Sequence, residues 1–135
     1  MRTVVFDTSA LLALVVDAQH RSTMLAAFDS ADVRAASAMA LVEAVAAIDR
    51  LSDEPLARAD LEDALRLVWD HLHVVPLDTA CCERAAHLAR EHPLRLSDAF
   101  HLAAAERLPS PVVFATVDPA QITSALDLGL EVIST

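Results

Sequence analysis

An α/β fold, with a parallel sheet covered by helices on both faces, is what this 135-residue sequence predicts. Three observations carry that expectation. Short, continuous, Val-rich apolar runs alternate with longer helical patterns, and strands without polar alternation belong to sheets buried on both sides. Ala and Leu dominate, Gly occurs once and Tyr is absent; an all-β sandwich would need more turn residues. More than half of the residues are apolar, enough for one continuous core. No repeat, low-complexity run or linker divides the chain, so residues 1–135 read as a single domain.

The elements follow in order. Thr3 to Phe6 reads as a buried strand. Thr8 to Val16 is a helix capped by Asp7 or Thr8. His20 to Ser30 is a second helix, with Met24, Leu25 and Phe28 at helical spacing. Asp32 to Ala36 is a weak strand. Ser37 caps an apolar helix from about Ala38 to Leu51. Pro55 suits the first turn of the next helix, which runs to about His71 with Leu61, Leu65, Val68 and Leu72 as its stripe. His73 to Leu77 is a strand, and Asp78 or Thr79 caps a helix through Glu91. Pro93 interrupts the pattern. Ser97 starts a helix that ends before Pro109. Pro111 to Ala115 is a strand, Asp118-Pro119 starts the next helix, Gly129 fits its C-cap, and Leu130 to Ile133 is the last strand.

Against this frame four acids stand out. Asp7 closes the run Val4-Val5-Phe6, and Asp118 follows the run Val112-Val113-Phe114-Ala115. Asp98 opens an Ala-rich helix. Glu43 is the only polar residue between Ala38 and Ile48. It lies opposite Leu41, Val45 and Ile48 on a helical wheel, but Ala40, Ala44, Ala46 and Ala47 leave no other polar group on its face, so the helix is expected to be buried all round. Each acid has an ordinary reading: a cap for Asp7 and Asp118, a first-turn acid for Asp98, a solvent-facing residue for Glu43. Together they point to a ligand, because carboxylates at strand ends and in apolar helices are costly to bury. A hard divalent cation compensates several at once. Open parallel sheets place ligands beyond the carboxyl ends of their strands. If the first strand and the Val112 strand are neighbours, Asp7 and Asp118 meet there.

Val4-Val5-Phe6-Asp7-Thr8-Ser9-Ala10-Leu11-Leu12 resembles the opening motif of PIN domains. Leu41-Val42-Glu43 resembles their second-acid motif, and Leu96-Ser97-Asp98-Ala99-Phe100-His101-Leu102-Ala103 their third. Ala115-Thr116-Val117-Asp118, with Leu128-Gly129-Leu130 beyond it, resembles their fourth. The match runs in order over the whole chain and is most similar to VapC-type toxins of bacterial toxin–antitoxin pairs. The fourth motif departs in having Pro119-Ala120 where a basic residue usually follows the acid. Few basic residues accompany the third motif: Arg95, then Arg107. The resemblance implies a three-layer α/β/α sandwich around a five-stranded parallel sheet and a Mg²⁺-dependent ribonuclease, in a likeness that also implies homodimers and a small antitoxin partner.

The implied chemistry assigns Asp7, Asp98 and Asp118 to one or two Mg²⁺ ions, with Mn²⁺ as a substitute, and Glu43 as a ligand or water-orienting group. Ser9 would hydrogen-bond a pocket carboxylate, as would Thr116. Hydrolysis by a cation-activated water predicts 5′-phosphate and 3′-hydroxyl ends. Clustered acids are expected to repel, raising at least one pKa. His101 would flank the pocket without a catalytic role. Glu83, His87 and Glu91 share a helix face, read as solvated.

The net charge is −10, with Arg for all ten basic residues. That disfavours non-specific nucleic-acid binding, although a bound cation offsets an acidic pocket locally. Adjacent Cys81 and Cys82 suit a reduced cytoplasmic chain, and Leu11 to Val16 is too short to span a membrane. One glycine excludes P-loop, dinucleotide and nucleophile-elbow motifs. A haloacid-type phosphatase wants Asp where Ser9 stands. A structure-specific DNA nuclease and a non-catalytic PIN-like binding module remain as alternatives.

Overall fold

The computed structural model describes residues 1–16 and 19–134. Among them a five-stranded, all-parallel sheet is assembled in the order β3-β2-β1-β4-β5. Its strands are β1 (Thr3–Phe6), β2 (Val33–Ser37), β3 (His73–Val75), β4 (Val112–Ala115) and β5 (Glu131–Ile133). The helices are α1 (Thr8–Val15), α2 (Arg21–Ser30), α3 (Ala38–Leu51), α4 (Pro55–Trp69), α5 (Thr79–Glu91), α6 (Leu96–Glu106) and α7 (Pro119–Asp127).

Alternation along β1 divides the core. Val4 and Phe6 face one layer, where Leu11, Leu14 and Met24 of α1 and α2 pack, with Val68 and Trp69 of α4 against them. Val5 faces the other, made by Leu88 of α5, Leu102 and Ala103 of α6, and Ala125 of α7. This is the expected three-layer sandwich. Ile48 and Leu65 close a smaller cluster between α3 and α4. Among the described residues no helix is long and apolar enough to cross a membrane.

Several boundaries differ from expectation by a residue or two. β3 stops at Val75 and β4 starts at Val112, because Pro76 and Pro111 have no N–H for the ladder. The helix carrying Asp98 begins at Leu96, which puts Asp98 in its first turn. Gly129 ends α7 with φ +80°. The N–H of Leu130 reaches Ala125 O at 3.1 Å and that of Gly129 reaches Leu126 O at 3.0 Å, so the glycine takes the left-handed position of a Schellman cap.

One expectation fails. α3 is not buried all round: Ala40, Ala44 and Ile48 are buried, but Val42 is 65% exposed. The alanines that suggested burial on every side are small enough to sit on a partly open face.

Candidate acidic pocket

Sheet order brings the acids together. Outward from β1 the chain runs β1-β2-β3, and on the other side β4-β5, so β1 and β4 flank the switch point where open sheets leave a crevice. Phe6 is in register with Ala115. Asp7 and Thr116 therefore leave the sheet side by side, and Asp7 N–H donates to Ala115 O at 3.2 Å. Ser37 ends β2 and also caps α3, its hydroxyl accepting from Met39 N–H at 3.1 Å. That tight junction starts α3 at the same edge, where its second turn delivers Glu43. α6 crosses above with Asp98 and, one turn later, His101. A cavity of about 190 Å³ is lined by Asp7, Glu43, Asp98 and Asp118 together with Arg95 and His101. Thr8, Ser9, Leu12 and Gln121 complete its wall.

Each acid is held by different partners. Asp7, 1% exposed, caps α1 by accepting from Ala10 N–H at 2.9 Å. The same oxygen accepts from Ser9 Oγ at 2.7 Å. Its other oxygen accepts from Thr116 Oγ1 and Gln121 Nε2. The hydroxyls of Ser9 and Thr116 thus both donate to the Asp7 carboxylate. Ser9 also receives Val117 N–H at 3.0 Å, and Thr116 receives Asp118 N–H at 3.0 Å, which ties the segment after β4 to the start of α1. Glu43 Oε1 accepts from Thr8 Oγ1 at 2.7 Å and lies 2.8 Å from His101 Nε2. Asp98 and Asp118 share Arg95. Its Nε is 3.0 Å from Asp98 Oδ2, and a terminal nitrogen is 2.7 Å from Asp118 Oδ2. Asp118 also caps α7 through Ala120 N–H at 3.0 Å.

The electrostatics separate two of these acids. Burial pushes the Asp7 carboxyl above its usual value, against the opposing pull of His101 and the donors Thr116, Ser9 and Ala10. A pKa does rise, as expected, but the leading cause is lost hydration and not repulsion between the acids. Burial also acts on Glu43, but hydrogen bonds from His101 and Thr8 outweigh it and hold the carboxyl down at about 2. Arg95 is raised, chiefly by its hydrogen bond to Asp98.

All four acids thus line one pocket. Among the described residues, however, no three Asp, Glu, His or Cys side chains converge on one point as a formed cation cage. The donor set still fits a hard divalent cation. It consists of carboxylate and hydroxyl oxygens, without thiolate, and one guanidinium opposes four acids. Outside the pocket, His87 and Glu91 form an exposed pair at 3.1 Å, as a solvated face should.

Two residues escape the sequence reading. Gln121 is 2% exposed and donates to Asp7, whereas on pattern alone its neighbour Ile122 would take the inward place. In the sequence Arg95 reads only as a positive charge near the third motif; the structure makes it the bridge between two acids. Its spacing of three from Asp98 on a helix start was the available signal.

Residues 4–127 match the PIN domain family. Two proteins of Mycobacterium tuberculosis, Ribonuclease VapC45 (strain CDC 1551 / Oshkosh) and Ribonuclease VapC49 (strain ATCC 25618 / H37Rv), are each 34% identical over 137 residues, covering 98% of this chain and 95% of theirs. Among solved structures, a toxin–antitoxin complex from Klebsiella pneumoniae has a chain that superimposes with a TM-score of 0.71 at 19% identity, covering 97% of this chain and 96% of that one. FitAcB from Neisseria gonorrhoeae gives 0.74 at 16% identity, with the same coverages. VapBC-5 from Mycobacterium tuberculosis gives 0.67 at 21% identity over the full length of both chains. At these identities the likeness to solved structures shows the fold.

Proposed function

Because this chain belongs to the PIN-domain family, we propose that it is a Mg²⁺-dependent endoribonuclease of the VapC type, the toxin of a toxin–antitoxin pair. The observation that carries this reading is the convergence of Asp7, Glu43, Asp98 and Asp118 on one cavity at the β1–β4 edge. The 34% identical relatives named as ribonucleases support RNA as the substrate class.

Asp7, Asp98 and Asp118 would hold the cation, with Glu43 as a further ligand or as the group that orients a water. When bound, Mg²⁺ or Mn²⁺ supplies acidification of water and stabilisation of charge on the scissile phosphate. The chain's own residues provide the rest. Ser9, Thr116 and Gln121, with Ala10 N–H, occupy both oxygens of Asp7; they hold this carboxylate at the pocket, and one of them would give way where the cation binds. Glu43, ionised at neutral pH, offers an acceptor for a water proton. Arg95 lies at the pocket mouth, 72% exposed along its side chain, where a guanidinium fork suits a phosphodiester. The products are a 5′-phosphate and a 3′-hydroxyl.

The four-acid pocket also suits a basic side chain inserted by an antitoxin. Of the similar solved structures, one is a toxin–antitoxin complex and another a member of a family of toxin–antitoxin systems, which supports such a partner here. Leu12, Val16, Ala47 and Leu51 line a shallow apolar groove beside α1 and α3, a surface for the homodimer or the antitoxin. The protein would act in the cytoplasm.

The test is RNA cleavage by antitoxin-free protein in Mg²⁺, Mn²⁺ or EDTA, with Asp98→Asn alongside. Cation-dependent cleavage that the substitution abolishes is expected. Equal cleavage by the variant, or 2′,3′-cyclic phosphate ends, would overturn the mechanism.

A further inference from the structure

Resting on the nuclease reading, we propose that His101 is a positioning residue for Glu43. The hydrogen on its Nε2, and not the bulk of its ring, keeps that carboxylate turned into the pocket.

α6 presents Asp98 and His101 on one face, three residues apart. Both are buried, His101 to 1% exposure. His101 Nε2 lies 2.8 Å from Glu43 Oε1 and 3.1 Å from Thr8 Oγ1. The Thr8 hydroxyl gives its own hydrogen to Glu43 at 2.7 Å. Both oxygens facing Nε2 are therefore acceptors toward it, and Nε2 must carry a hydrogen shared between them. One imidazole N–H thus joins the α3 acid to the start of α1 and to the helix that bears Asp98.

The other ring nitrogen gives the second half of the argument. His101 Nδ1 is buried with no hydrogen-bond partner among the described residues. A histidine kept for packing alone would be better replaced by an apolar residue, since an orphaned buried nitrogen is destabilising. The ring is satisfied only at the atom that reaches Glu43. Glu43 has reason to need it. Its side chain is about one-third exposed and follows Val42, which faces solvent. An ionised carboxylate in that position turns toward water unless donors hold it inward.

Glutamine and asparagine separate the two ring nitrogens. His101→Gln places an amide N–H where Nε2 was, and His101→Asn places one near Nδ1, short of Glu43. Both are neutral and smaller than histidine, so both lose packing. Four quantities are read: the melting temperature without metal, its shift on adding Mn²⁺, and kcat and KM on RNA. The two variants should melt close together. Gln should keep kcat within about threefold of wild type with its Mn²⁺ shift intact; Asn should lose about tenfold or more in kcat at little-changed KM, with a smaller Mn²⁺ shift.

The assignment is overturned if Gln and Asn fall together, which is packing, or if neither falls. Should His101→Asn fold poorly, the pair is compared on a Glu43→Gln background, where the Gln–Asn difference must vanish; its persistence there also overturns the assignment. A wild type that responds to Mn²⁺ without cutting the RNA offered leaves the Mn²⁺ shift to decide. A wild type inert to both Mn²⁺ and RNA removes the nuclease reading and this one with it. An active wild type with indistinguishable variants removes this one alone.

Discussion

Asp7 and Glu43, on the β1–α3 side of the pocket, owe their positions to partners built into the core, whereas Asp98 and Asp118 share one exposed guanidinium. The donors to Asp7 come from α1, α7 and the segment after β4, and all are packed. Glu43 has Thr8 and a fully buried ring. Arg95, by contrast, starts α6 with no side-chain cap bond and with most of its side chain in water. A cation beside a helix N-terminus is disfavoured by the helix dipole, so the two carboxylates are what keep it there. One half of the pocket is pre-organised by its donors; in the other, where Asp118 also caps α7 and Asp98 is itself buried, the charge is balanced by a counter-ion that can leave. On the proposed reading, in which the site exchanges a cation and a polyanion, rigidity serves the ligands and mobility serves whatever must be displaced.

The largest test of that contrast is Asp7→Asn. It should abolish cation-dependent cleavage, a loss of at least about a hundredfold, and raise the melting temperature of the metal-free protein. Burial disfavours the Asp7 carboxylate. Gln121 can turn its Oε1, unpartnered among the described residues, to accept from the new amide. A variant that melts lower would show that its donors outweigh its desolvation.

Next comes Gln121→Leu, which removes one packed donor without touching the acids. Activity should fall about ten- to a hundredfold, as when a ligand's supporting hydrogen bond is lost, and an unchanged rate would break the claim that this side is pre-organised. Arg95→Ala should act in the opposite direction on metal. Mn²⁺ affinity, measured by titration calorimetry, should rise about threefold, the scale of an exposed ion pair. Weaker Mn²⁺ binding would mean that the arginine supports the cation site instead of competing for it.

The smallest effect is on acid stability. Glu43 is lowered from 4.5 to about 2 on folding, so its contribution is complete above pH 4.5 and is lost as pH falls toward 2. Asp7 has the opposite sign: raised above 3.8, it subtracts stability as pH climbs through its folded value. Glu43→Gln should therefore flatten the loss of stability between pH 4.5 and about 2 in denaturant melts. An unaltered slope would place the acid sensitivity elsewhere.

The strands and the acids were legible in the sequence for a shared reason. Val4-Val5-Phe6 and Val112-Val113-Phe114 allow no amphipathic reading, and a carboxylate ending such a run has few ordinary explanations. Their adjacency was conditional on strand order, which no local pattern encodes; pairing of β1 with β4 spans most of the chain. Gln121 was illegible because it breaks the pattern that reveals buried positions, a polar residue turned inward beside an isoleucine. The misreading of α3 came from treating alanine as a burial signal. Alanine buries too little area for its placement to be decisive, and it tolerates the half-open face beside Val42 as readily as the core. His101 was legible as a neighbour of the pocket, but its acceptor lay on another helix, 58 residues away.

The register of β1 between β2 and β4 has a consequence for synthesis. Asp7 leaves the ribosome well before two of the donors that hold it, Thr116 and Gln121, which follow 109 and 114 positions later. Until β4 arrives, β1 has an open edge and Asp7 has only the cap and hydroxyl of its own helix. A growing chain thus carries Asp7 and Glu43, and later Asp98, without a pocket. The pocket would be completed late and abruptly, once Thr116 and Gln121 have emerged, and a partner made alongside would have until then to be in place.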